Sequence, residues 1–531
     1  MLCLRNPGGL THYGRSKGIL VRDVSALSPV YSLQAARAAE QDVLAAEPEP
    51  DAVIKKAAQA CAGVALAMLP ATGQVLVIAG PGGNGGDGLF AGAHLALAGH
   101  TVHAVLVAER AHEAALATFQ AAGGAVYTGA ETADDDADYD LVIDAVAGLG
   151  SSREVSAEVA ALVERGDKVL AIDCPTGCGT QRSVLADATI TFGHARTPHA
   201  NHPECGQVVV ADIGLKAAID KHAPVGYTSF EPSRTTDVWA QPLPDDVHHL
   251  ATTGPLPRLL PGIFDNKYTH GVTGIAAGSE QFPGAGIMCT AGALHTTSSM
   301  VMTLGDITEF PEVVPARDVA SARRVDAWVV GPGRGTDDAA LAELEEILAT
   351  SVPVVIDADA ISLIAQHDHL HNKLRGAVLT PHAGEFARLG GSQQELSDQW
   401  GCHILLKGRI TAITSPQALP VSVNTGNSFA ATAGSGDVLA GIIGALVAHR
   451  AKQSEQHLAQ HSMQRTLLSA VALHAHAASL AAAQPADNAP ADNAPADNAP
   501  ADYAPTTAME IARAISPAIA KLSARNRRRS S

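Results

Sequence analysis

The stretch Thr432-Ala433-Gly434-Ser435-Gly436-Asp437 decides the fold of the C-terminal half, because it runs directly into residues 438–448, whose apolar spacing predicts a helix. Small residues let successive backbone N–H groups converge, and the N-terminus of a helix carries partial positive charge. The stretch therefore predicts a phosphate-binding turn. The carboxylate of Asp437 would repel that phosphate, which favours a chemical role for it as the base that deprotonates an attacking hydroxyl. The alternative is an ordinary aspartate at a helix N-cap.

The composition predicts a large acidic protein of the α/β class with small-molecule ligands. The chain has 531 residues, a formal net charge of -18 and a pI near 5.6. A chain of this length divides into more than one core, and an acidic surface repels nucleic acid, so we expect two domains and no nucleic-acid partner. Seven scattered cysteines and the lack of a long apolar segment predict reduced thiols, a cytoplasmic location and no membrane association. We also expect a homo-oligomer.

Alternating strand and helix patterns occur in two series along the chain, at residues 29–225 and 261–525. Each series predicts a parallel sheet covered by helices on both faces, that is, a three-layer α/β sandwich. Residues 1–28 are expected to be a disordered lead-in and residues 226–260 a linker. Within the second domain, residues 484–506 contain Pro-Ala-Asp-Asn-Ala repeats that cannot bury a core. The capping-box sequence at 507–510 predicts a final helix after this insert.

In the first series, a predicted strand is followed by Gly80-Pro81-Gly82-Gly83-Asn84-Gly85-Gly86-Asp87-Gly88. This loop formally matches a dinucleotide fingerprint, with Glu109 at the distance of a ribose-binding acid. The carboxylate of Asp87 would weaken pyrophosphate binding, however, and the loop favours a cation or a hydroxylated ligand. Asp144 and Asp173 also follow predicted strands. Because parallel strands end at one edge of a sheet, we expect these three carboxylates to converge on one crevice.

These motifs give residues 31–215 a resemblance to the epimerase domain of NAD(P)H-hydrate repair enzymes, which has a Rossmann-like fold. The loop at 80–88, the strand end at Asp144 and the sequence Ile172-Asp173-Cys174-Pro175-Thr176-Gly177 carry this resemblance. It implies that Asn84, Asp144 and Thr176 bind a potassium ion and that Asp173 transfers a proton. The implied contacts with the hydrated nicotinamide nucleotide are Gly83, Asn84, Gly85, Gly86, Asp87, Gly148, Leu149, Gly150, Ser151, Ser152, Arg153, Glu154 and Asp173.

Some positions depart from the family pattern. Gly83 replaces an asparagine, Leu149 and Ser151 alter a Gly-Thr-Gly-Leu run, Thr176 replaces a serine and Arg196 replaces a lysine. Threonine retains the hydroxyl, whereas arginine retains the positive charge but does not readily give up a proton. An alternative interpretation is therefore that the first domain binds a ligand or a protein without turnover.

In the second series, polar motifs follow predicted strands in a fixed order before the glycine turn. They are Gly331-Pro332-Gly333-Arg334-Gly335, Asp357-Ala358-Asp359, Thr380-Pro381-His382-Ala383-Gly384-Glu385, Lys407-Gly408-Arg409-Ile410-Thr411 and Asn424-Thr425-Gly426-Asn427. Over residues 266–522 this order resembles the ADP-dependent NAD(P)H-hydrate dehydratase, a ribokinase-like domain. The resemblance implies that adenine nucleotide binds at Lys407, Gly408, Arg409, Ile410, Thr411, Gly434, Ser435 and Gly436. It implies that hydrated NAD(P)H binds at Ala285, Gly333, His382 and Asp437.

Together the two resemblances predict one repair enzyme with two activities. The first domain would interconvert the R and S forms of NAD(P)H hydrate. The second would dehydrate the S form with ADP or ATP, giving AMP and phosphate with ADP. Asp437 would be the base, and magnesium would neutralise the phosphates. The alternative is a ribokinase-type small-molecule kinase with a non-catalytic Rossmann-like domain.

Two groups of metal-ligating residues do not predict a metal site from their spacing. His194, His199, His202 and Cys205 match no standard zinc pattern, and we interpret the histidines as solvated loop residues. Cys174 and Cys178 are separated by three residues, which does not fit a thioredoxin-type motif.

Overall fold

A computed structural model of the chain describes residues 28–49, 51–128, 138–148, 153–229, 259–305, 307–425, 427–453, 462–484 and 502–529. The described residues up to 229 belong to one compact unit and those from 259 onwards to a second. No helix within these ranges combines the length and the hydropathy required to cross a bilayer.

The first unit is built on a parallel sheet with the strand order β4-β3-β2-β5-β6-β7-β9. Its strands are β2 (Gln74–Ala79), β3 (Thr101–Leu106), β4 (Ala125–Thr128), β5 (Leu141–Ala145), β6 (Val169–Ile172), β7 (Ala188–Phe192) and β9 (Gln207–Ala211). The helices are α1 (Leu33–Ala46), α2 (Ala52–Met68), α3 (Gly83–Leu97), α4 (Glu113–Ala121), α5 (Ala157–Val163), α6 (Thr197–Asn201) and α7 (Lys216–Ile219), with a 3-10 turn at Pro203–Cys205. The strand order reverses between β2 and β5, and ligand crevices of parallel sheets form at such a reversal.

A small second ladder in this unit was not predicted from the sequence. Strand β1 (Ser28–Tyr31) pairs antiparallel with β10 (Gly226–Ser229) and parallel with β8 (Ala195–Arg196). Residues 226–229 therefore fold with the first unit, whereas the sequence pattern assigned them to a linker. Such short strands carry too few residues to show a period-2 pattern.

Glycines allow α3 to approach the sheet closely. A Cβ atom added at Gly85 would lie 1.9 Å from the carbonyl oxygen of Gly80, and one at Gly88 would lie 2.5 Å from the Cβ of Ala145. The helix begins at Gly83, so Asn84 and Asp87 occupy its first turns rather than an extended loop. The helix N-terminus consequently points toward the strand ends where Asp144 lies.

The second unit has the strand order β13-β12-β11-β14-β15-β16-β17-β18-β19, parallel as far as β17 and antiparallel beyond it. Its strands are β11 (Thr273–Ala276), β12 (Val301–Leu304), β13 (Val314–Ala316), β14 (Ala327–Val330), β15 (Val354–Ile356), β16 (Val378–Leu379), β17 (His403–Leu406), β18 (Ile410–Thr414) and β19 (Val421–Asn424). The helices are α8 (Pro283–Thr296), α9 (Asp338–Leu348), α10 (Asp359–Gln366), α11 (Ala383–Leu389), α12 (Gln393–Trp400), α13 (Ser435–Ala451), α14 (Met463–Ala482) and α15 (Ala508–Arg529), with a 3-10 segment at Asp368–Lys373.

The buried helix α13 carries the glycine turn at its N-terminus and crosses α8 at very short range. A Cβ atom added at Gly441 would lie 2.0 Å from the carbonyl oxygen of Cys289, and one at Gly292 would lie 2.2 Å from that of Val438. This contact, which tolerates only glycine, fixes the start of α13 relative to the sheet.

The residues that flank the low-complexity insert are held together within the second unit. Strand β20 (Ala483–Gln484) pairs antiparallel with β21 (Asp502–Tyr503), while residues 485–501 lie outside the described ranges. Beyond them, the Glu510 carboxylate accepts hydrogen bonds from the backbone N–H of Thr507 at 2.8 Å and from its hydroxyl at 3.0 Å. The predicted capping box and the final helix α15 are therefore confirmed.

Candidate active sites

The first candidate site is built around a fully buried carboxylate at the end of β5. Asp144 has no exposed surface, and both of its oxygens accept hydrogen bonds from Thr176, one from the backbone N–H and one from the hydroxyl, each at 2.7 Å. Burial raises the pKa of Asp144, although the hydrogen bonds from Thr176 and Val146 oppose the rise. A carboxylate in this position is stabilised by a cation.

Two further polar side chains meet beside Gly148. A Cβ atom added at Gly148 would lie 2.9 Å from Oδ2 of Asp173 and 3.6 Å from Oδ1 of Asn84. Within the described ranges, the Nδ2 atom of Asn84 and the Oδ1 atom of Asp87 are buried and have no hydrogen-bond partner. These atoms are therefore available to a ligand that enters the crevice.

The electrostatics of Asp87 link it to Asp173, one of the two other carboxylates expected in the crevice. Burial raises its pKa well above the usual range, and the negative charges of Asp173 and Glu40 raise it further. The contribution of Glu40, on α1, could not be read from the sequence because no motif links α1 to the strand ends.

Asp173 is held in one orientation by its neighbours. Its backbone has φ of +65°, a strained value for a residue other than glycine, and its Oδ1 atom accepts a hydrogen bond from Nη1 of Arg196 at 2.5 Å. Arg196 is itself buried and also donates to Oγ1 of Thr191 at 2.8 Å and to the carbonyl oxygen of Phe192 at 3.2 Å. Asp173 thus faces the crevice beside a cation that cannot lose its proton.

The interpretation of His194 and His199 as solvated loop residues was wrong. Both are buried, because the segment after β7 folds back onto the sheet. His194 contacts a carboxylate oxygen of Asp220 through Nε2 at 2.8 Å, and Nε2 of His199 lies 2.6 Å from the carbonyl oxygen of Asp173. Burial lowers the pKa of His199 to about 4, so the imidazole that contacts the carbonyl oxygen of Asp173 is neutral near pH 7.

The other predicted contacts of this site are distributed around the crevice. Gly83, Gly85 and Gly86 lie in the first turn of α3. Arg153 and Glu154 are exposed, and Glu154 accepts a hydrogen bond from Nε of Arg182 at 2.9 Å. Four predicted residues lie outside the described ranges, namely Leu149, Gly150, Ser151 and Ser152.

The second candidate site lies at the N-terminus of α13. Gly434 precedes the helix with φ of +82°, so the backbone turns through the left-handed region before Ser435 and Gly436 open the helix. Asp437 follows in the first helical turn. Burial and the charge of Asp357 raise the pKa of Asp437 to about 7, even though the charge of Lys407 opposes the shift.

Lys407 lies beside the glycine turn and is paired with a buried carboxylate. Its Nζ atom donates to Oδ1 of Asp357 at 2.6 Å, and the same oxygen accepts a hydrogen bond from Oγ1 of Thr380 at 2.8 Å. A Cβ atom added at Gly436 would lie 3.4 Å from Nζ of Lys407. Burial lowers the pKa of Lys407, but the charge of Asp357 outweighs this effect, and the net shift is upward.

The residues expected to contact hydrated NAD(P)H lie in the first turn of α8 and after the strands β14 and β16. Gly333, with φ of +62°, approaches Ala285 so closely that an added Cβ would lie 2.7 Å from the Cβ of Ala285. His382 bridges to Lys407 through a parallel backbone contact, and its Nδ1 atom caps α11 by accepting a hydrogen bond from the backbone N–H of Gly384 at 3.0 Å. The exposed ring of His382 therefore lies next to the strand end that carries Lys407.

The predicted nucleotide-binding segment, residues 407–411, forms the turn between β17 and β18. Oγ1 of Thr411 donates to the carbonyl oxygen of Gly408 at 3.2 Å, which closes the turn. The side chain of Arg409 has a buried Nη1 atom without a hydrogen-bond partner in the described part of the chain. Ile410 starts β18 and pairs with Asn424 on β19. An unpaired guanidinium nitrogen in this turn is suited to an anion.

The sequence did not indicate the contacts that two residues, Asp357 and His474, make in the second site. Asp357 was recognised only as a strand end, although its pairing with Lys407 and its effect on Asp437 make it central to the site. His474 carries no motif that marks it in the sequence, yet its Nε2 atom lies 3.1 Å from Oγ of Ser435 in the glycine turn. Sequence spacing gives no signal for His474, because it lies 39 residues beyond Ser435 and tertiary packing brings the two side chains together.

Comparison with known proteins places the chain among named relatives. The models of two protein families match it, one described as YjeF-related protein N-terminus over residues 50–197 and one as NAD(P)H-hydrate dehydratase over residues 273–496. A protein named bifunctional NAD(P)H-hydrate repair enzyme Nnr from Mycobacterium tuberculosis is 40% identical over 451 residues, which cover 79% of this chain and 89% of that protein. The protein of the same name from Corynebacterium glutamicum is 33% identical over 546 residues, covering 86% and 94%. Among solved structures, the ADP/ATP-dependent NAD(P)H-hydrate dehydratase from Bacillus subtilis, co-crystallised with ATP and Mg²⁺, is 22% identical, covers 52% of this chain and 97% of that chain, and has a TM-score of 0.37.

Proposed function

The chain belongs to the family of bifunctional NAD(P)H-hydrate repair enzymes. We propose that the first candidate site catalyses the epimerisation and the second the dehydration. The chain epimerises the R and S forms of NAD(P)H hydrate and dehydrates the S form to NAD(P)H with an adenine nucleotide as co-substrate. The predicted isomerase and lyase activities and the predicted α/β class with two domains are therefore confirmed. The small-molecule kinase and the non-catalytic first domain are set aside, since the relatives are named bifunctional NAD(P)H-hydrate repair enzymes.

The observation that carries the assignment of the dehydratase residues is the upward shift in the pKa of Asp437, to about 7, next to the glycine turn. A carboxylate with this pKa is a competent base near neutral pH. In the proposed reaction, Asp437 removes the proton from the hydroxyl of the hydrate while that oxygen attacks the terminal phosphorus of the nucleotide. The bond from this phosphorus to the nucleotide breaks, and with ADP the released product is AMP. The phosphate then leaves with the C–O bonding electrons, and the neighbouring ring carbon loses a proton, so that the new C=C bond restores the dihydropyridine ring.

The glycine turn and its neighbours would stabilise the transferred phosphoryl group. The backbone N–H groups of Gly434, Ser435 and Gly436 form the N-terminus of α13, which favours negative charge. The turn of residues 407–411 would bind the adenine nucleotide, with the unpaired Nη1 atom of Arg409 available to an anion. Ala285, Gly333 and His382 would contact the hydrated nicotinamide nucleotide at the adjoining strand ends.

Magnesium fits the charge of the second site. The charges of Asp357, Asp359 and Glu385 raise the pKa of Asp437 and that of Lys407 lowers it, so carboxylates predominate among the charged groups that act on Asp437 in the described part of the chain. Hard oxygen ligands suit Mg²⁺, which usually reaches such sites together with nucleotide phosphates. The ion would neutralise charge on the phosphoryl group during transfer.

In the first site we propose that Asp173 transfers the proton and that a potassium ion organises the crevice. The buried carboxylate of Asp144, the hydroxyl of Thr176 and the amide of Asn84 form a set of hard ligands, and burial raises the pKa of Asp144 when no cation neutralises it. The ion would supply positive charge for the substrate phosphates and for Asp144. Gly83, Gly85, Gly86, Asp87, Gly148, Leu149, Gly150, Ser151, Ser152, Arg153 and Glu154 would contact the hydrated nucleotide.

The experiment that tests this assignment is recovery of reduced-nicotinamide absorbance from a mixture of both NADPH hydrates with magnesium, potassium and ADP. We expect full recovery with the parent protein and none with Asp437→Ala. Recovery that stops at the S fraction would show that the first site, which contains Asp173, does not catalyse exchange of the two epimers. Omitting potassium or introducing Asp144→Asn should slow the epimer exchange and leave dehydration of pure S hydrate intact.

The remaining predictions concern assembly and location. The cysteines within the described ranges carry free thiols, which supports the proposed cytoplasmic location. The homo-oligomer is tested by light scattering on the purified full chain.

A further inference from the structure

Three cysteine thiols from two separated segments converge just behind the first candidate site. Cys174 follows Asp173 directly, Cys178 lies one turn further along, and Cys205 ends the 3-10 turn at Pro203–Cys205. The three sulfur atoms all lie within 4.8 Å of one another. Spacing alone did not predict this cluster, because the contributing segments are far apart in the sequence and follow no standard metal-binding pattern.

The separation of the sulfur atoms matches a tetrahedral metal site. The Sγ atoms of Cys178 and Cys205 are 3.8 Å apart. Thiolates that bind zinc at about 2.3 Å with tetrahedral angles are themselves separated by about 3.8 Å. The cluster is therefore close to the spacing required for zinc before any ligand moves.

A second group of ligands overlaps the first through Cys178. The ligand atoms of Cys178, His202 and Glu204 also lie within 4.8 Å of one another. The imidazole ring of His202 lies against Gly179, where an added Cβ would lie 2.8 Å from Cε1. Within the described ranges, Oε2 of Glu204 is buried and has no hydrogen-bond partner, and it lies 3.9 Å from Nδ1 of His202.

Simple hydrophobic packing explains only part of this arrangement. Cys174 and Cys205 are almost fully buried among Val30, Ala200 and Val208, as small apolar residues would be. That role does not account for an imidazole and a carboxylate with an unpaired buried oxygen at the edge of the thiols. A cation at this position would satisfy both polar groups together with the sulfur atoms.

We propose that Cys174, Cys178 and Cys205 bind a zinc-class divalent cation, with the fourth ligand supplied by the pair His202 and Glu204. Each thiol that binds gives up its proton to solvent, so the ion is bound by thiolates. Soft sulfur ligands select zinc or its analogues over the potassium and magnesium proposed for the two active sites. The proposal is independent of the repair activity.

Such an ion would cross-link the two segments that support the first candidate site. The turn after β6 carries Asp173, Cys174 and Cys178, while the segment after α6 carries Cys205. The first of these segments also contains Thr176, which donates two hydrogen bonds to Asp144. The ion would act as a structural brace behind the crevice rather than as a catalytic group.

The direct test is titration of the reduced, metal-free full-length protein with Co²⁺. We expect one equivalent to bind with the thiolate-to-cobalt charge-transfer band and the intense visible bands of a tetrahedral site, and Zn²⁺ should displace it. Cys178→Ser should abolish these bands, since Cys178 belongs to both groups of ligands. Cys402→Ala, which removes a buried thiol of the second unit, is the matched control and should bind cobalt like the parent protein.

Two further variants and a thermal unfolding measurement test the proposal if Cys178→Ser folds poorly. His202 and Glu204 are more exposed than the thiols, and we expect one of the two to bind the cobalt ion. Of the variants His202→Ala and Glu204→Gln, the one that removes this ligand should alter the visible cobalt bands but retain the thiolate-to-cobalt charge-transfer band. Zinc should also raise the thermal unfolding midpoint of the parent protein but not that of Cys178→Ser. The absence of a charge-transfer band in the reduced parent protein would overturn the proposal.

Discussion

Asp173 directly follows strand β6 and Asp437 lies in the first turn of α13, and the charged neighbours of these two candidate catalytic carboxylates differ. Asp173 accepts a hydrogen bond directly from the buried guanidinium of Arg196. Near Asp437, the available cation, Lys407, is hydrogen-bonded to a different carboxylate, that of Asp357. The two aspartates therefore differ in whether the neighbouring cation is hydrogen-bonded to them directly.

This difference fits the two proposed reactions. Phosphoryl transfer to a hydroxyl requires a base that accepts a proton near neutral pH, and burial together with the charge of Asp357 gives Asp437 a pKa of about 7. Epimer exchange instead requires a carboxylate whose orientation is fixed beside the substrate, and Arg196 supplies that constraint for Asp173. The predictions below test this contrast.

The largest expected effect is the loss of dehydration in Asp437→Asn. The amide retains the shape of the side chain but cannot accept the proton of the hydroxyl, so the rate should fall by about 10²–10⁴-fold. The measurement is the rate of absorbance recovery from pure S hydrate with ADP and magnesium. The matched variant Asp173→Asn should retain this rate and lose R-to-S exchange instead. A similar loss of both activities in either variant would contradict the separation of the two sites.

A smaller effect is expected when the cation beside Asp173 is changed. Arg196→Met leaves the charge of Asp173 unpaired and removes the bonds to Thr191 and Phe192, so epimer exchange should slow by about 10–100-fold. Arg196→Lys, which introduces the residue typical of the family, should retain most of the rate. Its pH profile should gain an alkaline limb that the arginine enzyme lacks, because lysine can lose its proton. Exchange is followed by chromatographic separation of the two hydrates.

If Arg196→Met exchanged the epimers as fast as the parent protein, the ion pair with Asp173 would have no part in turnover. An unchanged pH profile in Arg196→Lys would show that residue 196 stays charged over the whole range, and the contrast between the two aspartates would then rest on orientation alone.

Local sequence motifs were sufficient to predict the sheet edges and the glycine turn. The repeated pattern of strand, small residues and polar residues places Asp144, Asp173 and Asp357 at strand ends, and the structure agrees. Pairings between distant segments could not be predicted. The contact of His199 with the Asp173 carbonyl and that of His474 with Ser435 each join residues separated by a long stretch of chain. Their geometry is set by tertiary packing, which leaves no periodic signal in the sequence.

The pH dependence of dehydration should identify the cause of the pKa shift of Asp437. The rate should rise with pH and reach half of its maximum near pH 7, where Asp437 loses its proton. In Asp357→Asn the neighbouring negative charge is removed and Lys407 loses its partner, so the midpoint should move to lower pH by about one unit. Glu345→Gln, at a partly exposed carboxylate that contacts His369, is the control and should leave the midpoint in place. An unshifted midpoint in Asp357→Asn would show that the charge of Asp357 does not contribute to the pKa shift of Asp437.

The smallest effect concerns stability, and it separates the charge of Asp437 from its shape. The folded state raises the pKa of Asp437 from the ordinary value of about 4 to about 7, so the protonated form stabilises the folded protein at low pH. This contribution is complete below about pH 4 and is lost as the pH rises through 7, above which the ionised carboxylate destabilises the fold. Asp437→Asn removes the ionisation and should be more stable than the parent protein at pH 8 by about 1–2 kcal/mol, allowing for partial solvent exposure, with no gain at pH 4. Thermal unfolding midpoints of both proteins at the two pH values measure the difference, and the exposed Asp368→Asn should leave both midpoints unchanged. An equal change at both pH values would assign the effect to packing rather than to the ionisation of Asp437.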